Sequence, residues 1–483
     1  MDLTAVLLRV AAARPRVLLV TTPGGTSVRL AAEGELRMRD WPLVSTPAGA
    51  DLMVVAGPGC PRLQSALERL WQDMPAPRVC VRATAADDVS SILDAACARL
   101  SSPGRQRTEA RRTADEFRHH EPGRPGGTGA EGGQDAETDH EADHGEPGDG
   151  DHGGHRESDA EGGHPGGERE GDDANREGRD DHAGHEVPHG KPEHGGKRPT
   201  DQGSPDEHES HGGGHGNEDM EMPGGFPMAE RGEDRDGLTL DRLHVPLGPF
   251  LADWPAGLTI RTVLQGDVIQ QADLDEPPAD RSADPFWARP WLRAAAGEPV
   301  TRGEAARRRA AAHLDSLARL LSVAGWPAEA VTARRLRDDL LTEAPVSMVL
   351  PRVERHARRV GRSRTLYWLT RGVGPLSAAD ARAAGVSGPA ARAGGDVPAR
   401  YRQWLSDVMH DVRQLDDTAP LDPVAQESPR GRWDAERPPS AALTGVLCGL
   451  LVGAELGAAR LVVASLDPDP DELAVRPAEV ARG

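Results

Sequence analysis

Apolar positions in the first hundred residues fall into short, continuous runs at 16–22, 51–56 and 78–82. Each is the length of a strand, and none alternates with polar residues, which is the pattern of a parallel strand buried on both faces. Between the second and third runs, Leu63, Leu67, Leu70 and Trp71 recur at helical spacing within 60–74. Val89, Ile92, Leu93 and Ala96 repeat that spacing within 88–100. Strands alternating with helices predict that residues 1–102 form an α/β domain on a doubly wound, flavodoxin-like parallel sheet.

Periodicity then stops. Residues 103–235 are dominated by Gly, His, Asp, Glu and Pro, and are predicted to be a long disordered linker. Patterned sequence resumes in 236–475. Runs at 240–249, 258–264 and 266–272 predict a β-meander, followed by helical periodicity at 299–324, 328–342, 346–360 and 398–415. The longest apolar stretch, 441–466, reads as a buried helix over 441–457 and a strand over 460–466. Glu455 and Arg460 interrupt it, so no transmembrane segment is predicted. The third region is thus α+β, a meander with a helix bundle, and 476–483 is a tail.

Composition sharpens this division. Of 483 residues only 37% are hydrophobic and 3% aromatic, while Gly (56) and Pro (41) are abundant. That much apolar surface cannot order the whole chain. The net charge of -21 lies mainly in the middle and argues against a nucleic-acid partner, because phosphate binding rests on Lys and Arg. Lys191 and Lys197 are the only lysines beside 55 arginines, a bias that fits a GC-rich bacterial genome. Cys60, Cys80, Cys97 and Cys448 have no metal-ligand spacing, and no export signal opens the chain, so a reducing cytoplasm is expected.

Fourteen of the 18 histidines lie between His119 and His215, interleaved with carboxylates. The pairs His152/His155 and His182/His185, with His189, His208, His211 and His215, could chelate Ni²⁺ or Zn²⁺ weakly through two rings at a time. Without partners that fix the rings, such binding would serve buffering and not catalysis. The alternative is a solvated linker whose histidines are incidental. Pro23-Gly24-Gly25-Thr26-Ser27 follows the first strand but lacks both GxGxxG and a phosphate-loop lysine, and reads as an ordinary turn. Cys60 is an exposed loop thiol or simply a small residue. Asp467, Asp469, Asp471 and Glu472 could meet a hard cation, but read better as a solvated turn. His244, His313, His356 and His410 are scattered, with no HExxH or GxSxG pattern, so no hydrolase is expected.

Two resemblances connect these regions. Ala50-Asp-Leu-Met-Val-Val-Ala-Gly57 and Leu67-Glu-Arg-Leu-Trp-Gln-Asp-Met-Pro-Ala-Pro-Arg-Val79 resemble the iron–sulfur B subunit of complex I and the small subunit of membrane-bound [NiFe] hydrogenases. Members of that family bind a [4Fe–4S] cluster through a tandem Cys pair after the first strand, where this chain has Pro23–Ser27. The third region is similar to the complex I D subunit and the hydrogenase large subunit. The phrases are Val245-Pro-Leu-Gly-Pro-Phe250, the helix at 299–324, Val386-Ser-Gly-Pro-Ala-Ala-Arg-Ala-Gly394, and Leu461-Val-Val-Ala-Ser-Leu-Asp-Pro468. In the hydrogenases two cysteines follow the last phrase; here Asp469 and Glu472 stand in their place, and no Cys-x-x-Cys occurs in 284–309. Leu251 takes the place of the histidine near the quinone in complex I.

The resemblances imply a fusion of degenerate B-like and D-like subunits without cofactor. It would be a non-catalytic structural or regulatory protein related to NADH-quinone oxidoreductase, partnered by subunits of a complex I-like or hydrogenase-like assembly. Its expected place is the cytoplasm, or the periphery of the membrane's inner face. Two alternatives stand beside this one: a His-rich Ni/Zn buffer or maturation factor, and a quinone-linked oxidoreductase component.

Overall fold

The computed structural model describes residues 12–119, 231–233, 239–276, 285–433 and 437–474. All of them belong to one compact unit that takes in both ends of the chain, 1–122 and 221–483.

The three apolar runs are strands: β1 (Val17–Thr21), β2 (Leu52–Ala56) and β3 (Val79–Ala83). They lie side by side in that order, all parallel, with Val17 opposite Leu52 and Leu52 opposite Val79. A parallel bridge from Val17 to Leu43 adds a position outside β1. Helices cover both faces, which explains why the strands are apolar throughout. One face packs on α1 (Thr26–Met38) and α3 (Val89–Leu100) through Val28, Leu36, Leu93 and Ala96. On the other, Leu18, Val20, Met53 and Val55 meet Leu67 of α2 (Gln64–Gln72), with Phe250 from the C-terminal part packed against them. The doubly wound sheet is therefore as expected. Helix α4 (Pro103–His119) follows, and its Gln106 hydrogen-bonds the backbone of Arg78 at 3.1 Å.

The C-terminal part opens with the expected meander: β4 (Arg231–Glu233), β5 (Thr239–Leu247), β6 (Ile260–Gln265) and β7 (Val268–Leu274), antiparallel in chain order. After it come α5 (Arg289–Ala295), α6 (Arg302–Val323), α7 (Pro327–Leu341), α8 (Val346–Gly361), α9 (Arg364–Thr370), α10 (Ala378–Ala383), α11 (Gly388–Ala393) and α12 (Val397–Val412). The chain then forms α13 (Pro439–Leu451), α14 (Leu456–Leu466) and α15 (Pro470–Ala474).

The long helix α6 is the axis of the bundle. Thr301 caps it by accepting the Glu304 N–H at 3.1 Å, as a Thr-x-x-Glu start favours, and Leu314, Leu317 and Leu321 are buried along it. Helices α7, α12 and α14 pack on α6.

Residues 460–466 are not the strand expected from the apolar stretch but the end of helix α14. A short apolar run cannot be assigned by pattern alone when every side is buried. Here Leu461 and Ala464 face the α6 core while Val462, Val463 and Leu466 face the meander core, so no polar stripe reveals the helical period. Among the described residues no helix is long and apolar enough to cross a membrane.

Candidate functional site

The two parts of the compact unit meet along a buried chain of alternating charges. Arg29 on α1 bonds Glu33 one turn on at 2.7 Å and reaches Asp315 on α6 at 2.8 Å. Arg337 on α7, fully buried, contacts Asp315 at 2.6 Å and Glu33 at 2.8 Å. Arg319 links Asp315 at 2.9 Å to Asp467 at 3.0 Å, and Asp467 also binds Arg430 at 2.7 Å and the Ser316 hydroxyl at 2.6 Å. The helical spacings of Arg29/Glu33 and Asp315/Arg319 place each pair on one face.

Burial alone would raise the Glu33 pKa, but the Arg337 and Arg29 guanidinia bring it down to about 2. Asp315 is likewise held well below the carboxylate range, burial being outweighed by Arg29, Arg319 and Arg337. These two carboxylates are therefore charged at any physiological pH.

Beyond Asp467 the balance reverses. Asp469, Asp471 and Glu472 are buried, at 2% exposure or less, and are not a solvated turn. Asp469 sits well above the usual carboxylate range because of burial, then because of Asp471 and Glu472 beside it. Burial pushes Glu472 up to about 7 although Ser440 donates to it twice, from Oγ at 2.5 Å and from the backbone N–H at 3.1 Å. Asp471 is raised by burial, with hydrogen bonds from Thr26 and Gly24 pulling it back.

The Gly24 bond is a join across the chain. The Gly24 N–H donates to Asp471 at 2.7 Å, so the Pro23–Ser27 segment is more than the ordinary turn its sequence suggests: it seats a carboxyl from 447 positions further along the chain. Gly24 has φ +84°, and a Cβ on Gly25 would lie 2.3 Å from the Ala56 carbonyl, so the turn presses on β2 and admits only glycine there. A similar close approach occurs at the start of α11, where a Cβ on Gly388 would lie 2.7 Å from the Arg430 carbonyl.

A cavity of about 600 Å³ opens beside this junction. Its apolar wall includes Leu18, Val44, Phe250 and Trp254; its polar wall includes Arg29, Asp315, Arg319 and Asp469. Leu251 lines it as well.

The donor set at these positions does not fit the metal groups of the resembled families. A cubane needs four convergent thiolates and a nickel–iron centre needs thiolates as well, whereas the turn after β1 has none and residues 469 and 472 are carboxyls held toward their neutral form. The four cysteines are dispersed: Cys60 before α2, Cys80 in β3, Cys97 in α3 and Cys448 in α13. Burial raises the thiols of the last three. Among the described residues no group of three or more His, Cys, Asp or Glu is arranged to hold a metal ion.

His313 is driven down to about 4 by burial, its Nε2 lying 3.1 Å from the Pro429 carbonyl oxygen; His356 meets Glu329 at 2.9 Å; His244 and His410 are exposed. His152, His155, His182, His185, His189, His208, His211 and His215 lie outside the described residues.

No family model matches the chain, and no curated protein matches it. Among solved structures it is similar to a chain of the membrane-bound sulfane sulfur reductase, an archaeal respiratory membrane complex. The match has 15% identity and a TM-score of 0.36, and covers 48% of this chain and 98% of that one.

Proposed function

We propose that this protein is a structural or regulatory component of a complex I-like or hydrogenase-like assembly, in which two subunit folds are fused and the metal positions have become a mechanical joint. The observation that carries the reading is the Asp469–Glu472 segment. Where the resemblance puts thiolate ligands, this chain has Glu472, whose buried carboxyl accepts from the Ser440 hydroxyl, and Asp469, whose backbone N–H donates to that same hydroxyl; between them Asp471 accepts from the Gly24 N–H of the turn that stands at the place of the tandem cysteines. The segment at the metal positions would now be braced on α13 through Ser440 and, through Asp471 between those positions, hold the two halves together; the paired charges of Glu33, Asp315, Arg29 and Arg337 support the same role.

The test is native purification of the endogenous chain without chelator, followed by size analysis and metal determination. Migration in a large complex with complex I-like or hydrogenase-like subunits is the expected result, with no stoichiometric iron or nickel on this chain once it is separated from those subunits. A lone monomer in the size analysis, or an iron–sulfur absorption band on the separated chain, would overturn it.

The cavity favours a second reading, a quinone-linked component. Asp469 lines an otherwise partly apolar pocket and is held toward its neutral form, with one buried oxygen lacking a hydrogen-bond partner among the described residues. A neutral carboxyl of this kind can donate to a carbonyl on an apolar ring. Extraction of a quinone from the purified protein in molar proportion would favour this reading; a colourless, ligand-free preparation would count against it.

A further inference from the structure

Helix α9 is short and turned outward by its own anchors. Leu366 and Thr370, four residues apart, are buried, the Thr370 hydroxyl bonds the Leu366 carbonyl at 2.7 Å, and Ser363 caps the first turn at 3.2 Å. The three residues between the anchors therefore point away from the core: Tyr367 is 41% exposed, Trp368 69% and Leu369 50%. Few places on the described surface show three large apolar side chains in a row, and such a patch marks a contact.

The chain that carries the tip is cationic, with six arginines and no carboxylate from Arg355 to Arg371. Arg355, Arg358, Arg362, Arg364 and Arg371 are exposed, and none makes an ion pair among the described residues; Arg402 lies over the Tyr367 ring at 4.8 Å. Carboxylates nearby are engaged elsewhere: Glu329 with Arg359, Glu354 with Arg413, and Asp396 with the N–H groups of Gly372 and Ala399.

We propose that the Tyr367–Trp368–Leu369 tip and its arginine collar dock on an anionic lipid surface. Charge complementarity selects a phosphate-bearing occupant, because unpaired guanidinia bind phosphate oxygens in pairs. The exposed indole and phenol add the side chains that settle at the level of lipid headgroups. The acidic stretch 123–220 of the same chain could neutralise the arginines with its 27 carboxylates against eight basic residues. It has no aromatic, leucine or isoleucine side chain to cover Trp368. The contact is peripheral, and it stands independently of the subunit-fusion reading.

The test is sedimentation of the full chain with phosphatidylcholine vesicles, with or without about a third phosphatidylglycerol. Binding is expected only to the anionic vesicles and is lost at high salt. The double variant Trp368→Ser, Leu369→Ser should bind roughly tenfold more weakly, and Arg364→Gln roughly fivefold more weakly. Both alter exposed side chains, so unchanged circular dichroism identifies a true binding effect. Failure of the full chain to bind, equal binding to neutral vesicles, or full binding by both variants would overturn the proposal; the first outcome would assign the patch to a protein partner.

Discussion

The carboxyl of Glu472 offers a direct measure of how the joint is held. Its pKa is raised from 4.5 to about 7 in the folded protein, first by burial. A carboxyl with a raised folded pKa stabilises the fold relatively at low pH, and that advantage is lost as pH rises from the unfolded value through the folded one. Above about pH 7 the folded state carries the full penalty of ionising a buried acid, roughly 3 kcal/mol for a shift of this size. At about pH 5.5, where the folded group is still neutral, the penalty is roughly 1 kcal/mol. Glu472→Gln keeps the shape and an oxygen to accept both Ser440 bonds, but cannot ionise. Urea unfolding of the variant against the unaltered chain should show a stabilisation about 2 kcal/mol larger at about pH 8 than at about pH 5.5. Equal effects at the two pH values, or a variant destabilised most at high pH, would refute a buried neutral acid at this position.

Three further outcomes are expected. Asp315→Asn leaves Arg29, Arg319 and Arg337 without their shared counter-charge and should cost about 3–5 kcal/mol in denaturant unfolding; a loss below about 1 kcal/mol would show the network to be dispensable. Gly25→Ala forces a Cβ against the Ala56 carbonyl and should cost about 3 kcal/mol, whereas Gly34→Ala inside α1, where the added Cβ would meet only the end of the Arg37 side chain at 3.9 Å, should be neutral or slightly stabilising by thermal melting. Deleting residues 123–220, which contain His152, His155, His182, His185, His189, His208, His211 and His215, should abolish Ni²⁺ or Zn²⁺ uptake in calorimetry; unchanged stoichiometry would end the metal-buffer alternative.

The sheet was legible because buried parallel strands are written as uninterrupted apolar runs, and β1, β2 and β3 each begin and end within a residue or two of those runs. Helix α1 was not, because Arg29, Glu33 and Arg37 place charges on the side that faces the partner half, and charge in a pattern reads as solvent. The same confusion hid the joint. Asp467, Asp469, Asp471 and Glu472 looked like a hydrated turn, and only Arg430, Ser440 and Gly24, distant in sequence, reveal why four acids can lie inside a protein. The one available signal was positional, since the resemblance sets residues 469 and 472 opposite the two cysteines that end the hydrogenase phrase.

The bond between Gly24 and Asp471 spans 447 positions of sequence, so the first crossover and the last described helix of the chain are tied together. The long acidic stretch leaves and rejoins a body whose two pieces already grip each other through paired charges. Continuity of the polypeptide across 123–220 is thus a matter of supply, delivering both pieces in equal number and at high local concentration. A nick in that stretch, or a gene split there into two, would leave a pair of chains with a ready-made, charge-matched address for each other.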